Sequence, residues 1–401
     1  MTGGMKREAM GDTSAGGVAC AEPGAEPGAA FSSGIVDRIR EIGIRSMGRM
    51  YRPEVGQFIF RLRRCRNGIV SEGISRRYTA IALIGLSGEE DAVVSAVLGG
   101  EGLRDVCGRL AGGISQAGNL GDVALAFWAS CAVGIPDRRE LLERLVRLES
   151  AKSVHPAVEI AWAIAALCKD TDSSSEELRE KLAKRLLTSF NARSGVFPHR
   201  IGENRAGLRS HVSCFADMVY PIHALSLYHG LSGDRAALDA AGRCAMRICG
   251  EQGPAGQWWW HYDLRTGDVV EPYPVYAIHQ DAMAPMALFA LREAGGADFG
   301  AHVSRGLSWL SSSPELDGGS LIDRDADIIW RKVARNEPGK LSRYAQALAS
   351  RIHPSLRVPG LDRMFPPGAV DFEDRPYHPG WVLYAFPKER PERWNVKDRQ
   401  R

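Results

Sequence analysis

The sequence predicts an all-α fold of helical hairpins in two concentric layers, and two observations carry that expectation. From Arg76 onward, apolar residues recur at helical spacing in segments that alternate between apolar on every side and amphipathic. Between the later segments a turn recurs with its glycine at Gly195, Gly256 and Gly318, 61 and 62 residues apart. A regular period of this size marks a repeated supersecondary unit, here one helical hairpin and its connection.

The segments Tyr78 to Leu86, Val123 to Val133, Ala157 to Leu167, Asp217 to Leu231 and Asp281 to Leu291 are apolar nearly all round. Their partners Arg138 to Leu148, Glu176 to Phe190, Arg235 to Cys249 and Val303 to Leu310 are amphipathic. A helix apolar on all sides must be packed on all sides, whereas an amphipathic one faces water, so the first set is expected inside and the second outside. The turns read Asn191-x3-Gly195-Val196-Phe197, Gln252-x3-Gly256-Gln257-Trp258 and Pro314-x3-Gly318-Gly319-Ser320. Glycine suits a connection that needs positive φ, and an aromatic two residues later covers the helix end.

The 401 residues are 44% hydrophobic and 25% charged, the composition of a folded chain with a sizeable core. Lys and Arg number 51 against 48 Asp and Glu, and this near balance gives no argument for a nucleic-acid partner. Eight scattered cysteines without a CxxC pair read as reduced thiols. With no secretory apolar region and no apolar run of membrane-spanning length, the expected location is cytoplasmic. Residues 1–33, rich in Gly, Ala, Glu and Pro, are expected to be disordered, 34–390 to form one domain, and 391–401 a polar tail. The arginines at 61, 63, 64 and 66 read as a solvated basic face.

The middle turn, Gln252-x3-Gly256-x-Trp258, resembles the QW repeat of terpenoid cyclases, and Arg305-Gly306-x2-Trp309-Leu310 resembles the upstream half of another copy. The resemblance spans roughly residues 180 to 330. It implies the α/α toroid that terpenoid cyclases share with protein prenyltransferases, and the repeat extrapolates to a ring of about six hairpins. In the cyclases an Asp-x-Asp-Asp acid opens an inner helix after such a turn. At the corresponding place stands Asp323-Arg324-Asp325-Ala326-Asp327, which lacks the adjacent Asp pair and reads either as an acid, through Asp323 and Asp325, or as an acidic helix start.

The densest group of aromatic and titratable residues follows the second turn. Trp258, Trp260, His261 and Tyr262 lead to Tyr273, Tyr276, His279 and Asp281, the last two at the start of an apolar helix. His279 and Asp281 suit acid–base chemistry, with the phenols of Tyr273 and Tyr276 as further proton carriers. The preceding repeat carries Asp217 in the same Asp-x3-Pro setting, which helix capping also explains. A third cluster holds Arg375, Tyr377 and His378, and ring closure would bring it beside Arg77 and Tyr78. The two arginines would then bind a carboxylate or phosphate, unless Glu72 and Asp374 hold them as structural ion pairs.

No cofactor is called for. The histidines and cysteines lack a zinc spacing, although Asp105-Val106-Cys107 matches the Asp-x-Cys pair of the prenyltransferases, and no metal site is assigned. The leading expectation is an enzyme using acid–base chemistry on a glycan, with a uronate-type substrate favoured and lysis, epimerisation or hydrolysis as its reaction. Tryptophans would stack on sugar rings while Tyr, His and Arg bond hydroxyls and carboxylates. A terpenoid-cyclase-like or prenyltransferase-like enzyme acting on an isoprenoid is one alternative. A non-catalytic binding or scaffolding toroid is the other.

Overall fold

The computed structural model describes residues 33–114, 118–151, 153–202 and 207–394. In chain order the helices begin with α1 (Ser33–Met50), α2 (Arg76–Leu86), α3 (Asp91–Val97), α4 (Leu103–Ile114) and α5 (Leu120–Val133). Next come α6 (Arg139–Ala151), α7 (Ala157–Leu167), α8 (Glu176–Ser189), α9 (Ala216–Ser232) and α10 (Arg235–Gly250). The last are α11 (Ala284–Glu293), α12 (Gly300–Ser311), α13 (Leu341–Ile352), α14 (Leu361–Met364) and α15 (Tyr377–Ala385).

Six of these, α2, α5, α7, α9, α11 and α15, form an inner ring in which each packs on the next and α15 returns to α2. The fold is therefore a closed α/α toroid. The five segments read as apolar all round became the first five inner helices, and α15 completes the ring. The amphipathic helices α4, α6, α8, α10 and α12 lie outside, and α1 packs on α15 across the closure. Burial follows the pattern: in α7 nine of eleven residues, from Ala157 to Leu167, are buried, whereas in α8 only Leu178, Leu182, Ala183 and Leu186 are.

At the closing seam the backbones of α2 and α15 touch. A Cβ placed on Gly85 would stand 2.2 Å from the carbonyl oxygen of Gly380, and one on Gly380 would stand 2.8 Å from that of Ile81.

The recurring turns behave as their spacing implies. Gly195, Gly256 and Gly318 have φ of 75°, 99° and 81°, and Phe197 and Trp258 are fully buried. The Gln252 amide donates to the carbonyls of Gly256 (3.0 Å) and His302 (2.9 Å), tying its turn to the next outer helix. Ser320, in the place of the third aromatic, is exposed and donates to Leu310 O instead.

The structure corrects two local expectations. The chain is less purely helical than the sequence implies, because among the described residues there are five small sheets, chiefly in the connections that lead into inner helices. The arginine-rich stretch is one of their strands, Gln57–Cys65, paired with Gly68–Ile74, and Glu72 accepts bonds from both Arg61 and Arg63. The acidic cluster is not a helix start. Asp323 ends one arm of a hairpin, Ile322–Asp323 with Ile328–Ile329, and Asp327 takes φ of 49° before the return arm.

Pro391–Arg393 form a 3-10 turn, Trp394 is buried against Phe386, and Arg393 pairs with Glu293 at 2.8 Å, so the expected tail begins with a docked segment. Of the segment 1–33 expected to be disordered, Ser33 instead opens α1, and residues 1–32, like the rest of the tail, 395–401, lie outside the described residues. No described helix is long and apolar enough to cross a membrane.

Candidate active site

The inner helices are all entered from one rim, and each brings titratable groups to it within its first turn or the segment just before. These are Arg77 and Tyr78 on α2, Asp122 on α5, Glu159 on α7, Asp217 on α9, His279 and Asp281 in a π-helical turn leading into α11, and Tyr377 and His378 on α15. Helix N-termini expose unpaired N–H groups and a positive dipole end, so carboxylates are stabilised there and anions are bound there.

Closure brings the first and last elements together as expected. Arg375 Nη1 donates to the Tyr78 hydroxyl at 3.1 Å, and the Tyr78 ring stacks on Tyr377 at 4.8 Å and on Phe60 at 5.5 Å. Arg375 itself lies 4.6 Å above Phe60 and is held by Glu373 at 2.7 Å, while Arg77 is held by Asp122 at 2.5 Å. Their acidic partners are thus Glu373 and Asp122, not Asp374 and Glu72. Asp374 is 3.9 Å from His378, and Glu72 is occupied by the strand arginines. A cavity of about 640 Å³ opens here, lined by Gln57, Phe60, Ser75, Arg76, Arg77, Tyr78 and Asp122 together with Val55 and Ile74.

A second group of cations stands beside this seam. Arg331 lies 5.2 Å and Lys332 5.6 Å over the Tyr276 ring, and both reach Asp371, at 3.1 and 2.7 Å. Trp260 meets Tyr276 edge-on at 4.9 Å, with Arg343 4.6 Å from its own ring. Burial holds the Tyr276 and Tyr377 phenols above their ordinary range, with Arg331 opposing in each case, so both keep their protons at neutral pH.

The two buried aspartates each find a histidine. Asp217, fully buried, faces Nδ1 of the exposed His199 at 3.0 Å and accepts the Cys214 main-chain N–H at 2.7 Å. Burial works against charge on His199 less than the Asp217 bond favours it, so its pKa is raised. Asp281 faces Nε2 of His378 at 2.8 and 2.9 Å, and both side chains are buried. Burial raises Asp281 against the pull of His378. It also opposes charge on His378, but Asp281 outweighs it there, and the imidazole is held above its usual range.

The remaining expected site residues are dispersed. His279 does not pair with Asp281: it is buried between Phe215 (4.5 Å) and Tyr276 (5.0 Å), and burial pushes its pKa down to about 3, which keeps it neutral. Trp258 and Tyr262 are fully buried in the core, which removes them from contact with any ligand at the rim. His261 is buried under Trp260 at 4.5 Å and against Arg209 at 3.0 Å. Tyr273 donates to Glu315 at 3.2 Å, away from the seam. Asp323 is taken by Arg64 (2.6 Å) and the Trp330 indole (3.1 Å), and Asp325 lies beside it in the same hairpin.

Sequence reasoning missed Asp122, Glu159, Arg331, Lys332 and Arg343. Asp122 and Glu159 carried a usable signal, since each is the third residue of an apolar helix, close to the setting that singled out Asp217 and Asp281. Arg331 and Lys332 lie at strands too short to show a period, and Arg343 lies in the first turn of α13, in a segment that carries no copy of the repeat.

No family model matches the sequence, and no curated protein matches it either. Among solved structures, the chain is similar to an unsaturated glucuronyl hydrolase specific for heparin, with TM-score 0.58 and 11% identity over 92% of this chain and 98% of the other. It is similar to the unsaturated glucuronyl hydrolase of Bacillus sp. GL1, responsible for glycosaminoglycan degradation, with TM-score 0.54 and 11% identity over 90% and 97%. It is also similar to a possible member of the GH105 family from Klebsiella pneumoniae, with TM-score 0.52 and 11% identity over 91% and 95%. At this identity the likeness establishes the shared toroid.

Proposed function

We propose that this chain is a carbohydrate-active enzyme that works by acid–base chemistry on an anionic, uronate-type glycan at the N-terminal rim of the inner ring. The carrying observation is the cavity beside the closure, where an aromatic surface (Phe60, Tyr78), a guanidinium (Arg77) and a carboxylate (Asp122) line one space of sugar-binding size. Aromatic faces stack on pyranose rings, and arginine forks match carboxylates. Asp122, with Arg77 beside it, is the candidate proton carrier, and Glu159 on the neighbouring helix is its candidate partner. A glycosidic bond between two such carboxylates would receive a proton on its leaving oxygen from one while the other activates water. The names of two structural neighbours as glucuronyl hydrolases support a sugar acid and favour hydrolysis over lysis or epimerisation.

An isoprenoid reading has less support. The cavity is lined by Arg, Ser, Gln and Asp as well as apolar groups, and the acidic hairpin at Asp323 is neutralised by Arg64. A purely structural toroid has less support too, because several titratable pairs converge within hydrogen-bond reach at the rim.

The test is turnover of a panel of neutral, saturated-uronate and unsaturated-uronate oligosaccharides. The expected result is cleavage of at least one acidic member, with kcat lowered roughly 10²–10⁴-fold by Asp122→Asn and Glu159→Gln. Equal turnover of neutral glycans, or full activity in both variants, would sink the assignment.

A further inference from the structure

Away from that cavity, on the α9 side of the rim, three side chains of metal-ligating type face one another. His199 comes from the loop after the Gly195 turn, Cys214 ends the strand Val212–Cys214, and Asp217 lies in the first turn of α9. One ligand atom from each lies within 4.8 Å of the other two. We propose that His199, Cys214 and Asp217 form a binding site for a single divalent ion of the zinc class.

The geometry is close to what such an ion requires. For bonds of about 2.0–2.1 Å to nitrogen and oxygen in a tetrahedral site, imidazole and carboxylate ligand atoms stand roughly 3.3 Å apart. Here His199 Nδ1 is 3.0 and 3.2 Å from the two Asp217 oxygens. With a zinc–sulfur bond of about 2.3 Å, sulfur should stand roughly 3.5 Å from each of the others, so Cys214 Sγ has at most about 1.3 Å to close. Rotation about its χ1 is the movement the ion would require.

The ligands are also supported. Asp217 Oδ2 accepts the Cys214 N–H at 2.7 Å, which fixes the carboxylate plane while both of its oxygens stay within 3.2 Å of the imidazole. The strand-to-helix turn sets Cys214 and Asp217 three residues apart on one side of the chain.

Ligand chemistry selects the ion. One sulfur, one imidazole nitrogen and one carboxylate oxygen suit zinc or cobalt(II) and disfavour calcium and magnesium, which take oxygen ligands. A thiolate and a carboxylate together neutralise a divalent charge. Three protein ligands leave a fourth position, as in catalytic rather than closed structural sites. His199 also lines a cleft of about 380 Å³ with Arg200, Leu208, Arg209, Ser210 and Tyr344, through which a water or a ligand oxygen would reach that position.

The test uses the full chain, stripped with a chelator and titrated with cobalt(II) and then zinc. The expected result is one ion per chain, with a near-ultraviolet thiolate-to-cobalt charge-transfer band that zinc displaces. Cys214→Ser should lose the band, and His199→Gln should lose stoichiometric binding. The glutamine amide can still donate to Asp217, and circular dichroism would verify the fold of that variant. Absence of the band from the wild-type protein would overturn the proposal. So would binding that survives in the Cys214→Ser/His199→Gln double variant, because the ion would then sit elsewhere.

Discussion

Ring closure rests on a contact that one methyl group should break. At the α2–α15 seam a Cβ on Gly85 would lie 2.2 Å from the Gly380 carbonyl oxygen and 2.9 Å from its carbonyl carbon and Cα. An ordinary carbon–oxygen contact needs roughly 1 Å more, and every obstructing atom is backbone, so no rotamer change relieves the clash. Gly85→Ala must therefore push apart a pair of inner helices whose neighbouring side chains Leu83, Trp381 and Val382 are essentially inaccessible to solvent. Overpacking of this kind costs about 1–3 kcal/mol, and a rigid backbone-to-backbone clash belongs at the upper end. Opposing it, alanine in a helix interior is better than glycine by roughly 0.5–1 kcal/mol. The net expectation is a loss of about 2 kcal/mol. Gly242→Ala on the outer helix α10 is the matched control, since a Cβ there meets nothing within 4 Å and only the favourable term remains. Equilibrium urea unfolding measures both: the midpoint should fall for Gly85→Ala and rise slightly for Gly242→Ala, with unchanged m. If both variants shift alike, the helices do not meet as described.

Three further outcomes follow from the rim. Asp281→Asn removes the carboxylate facing His378 in a buried pair and should cost about 3–5 kcal/mol in the same unfolding experiment; a change below about 1 kcal/mol would mean the pair is solvated. Asp374 is pushed up from 3.8 to about 6, chiefly by burial, so the folded chain binds its proton more readily than the unfolded one. Its contribution is favourable at low pH and is lost as pH rises from about 4 to about 6, so Asp374→Asn should gain about 3 kcal/mol on wild type between about pH 3 and pH 7; a constant difference would contradict the shift. Finally, the tryptophans should separate. Trp258→Ala should cost about 3–5 kcal/mol of stability, whereas Trp260→Ala, at a half-buried side chain, should cost clearly less and raise KM for an acidic glycan, and the reverse pattern would misplace the rim.

The layering was legible because it depends on burial alone. A helix such as α7, with Ile160, Ala161, Ala163, Ile164 and Leu167 on all sides, has no stable place except inside a shell. The three glycines were legible because positive φ restricts the choice of residue. The site was only partly legible, for a physical reason. Arg375 and Tyr78 meet although 297 positions separate them, and closure predicts that meeting without specifying the partners. Asp281 bonds to His378, 97 positions away, and not to its near neighbour His279, because the helical turn sends those two side chains in different directions. Local spacing identified the titratable groups and misassigned their pairing.

The topology also bears on substrate charge. All six inner helices start at the same rim, so their dipoles add there and favour negative charge. Four of the six starts already carry an acidic side chain, Asp122, Glu159, Asp217 and Asp281. The remaining starts, those of α2 and α15, carry Arg77, Tyr78, Tyr377 and His378, with Arg375 just before α15. Beside them Arg61, Arg331, Lys332 and Arg375 share Asp371 and Glu373, four cations against two carboxylates. Among the described residues, the sector of the rim without a helix-start carboxylate is thus also the sector with surplus positive charge. An anionic group on a substrate would be drawn to that seam while its neutral rings extend toward Asp122 and Glu159. This polarity separates a sugar acid from a neutral glycan: exchanging Arg375 for Ala should weaken the acid much more than a neutral analogue, which loses only the support Arg375 gives Phe60 and Tyr78.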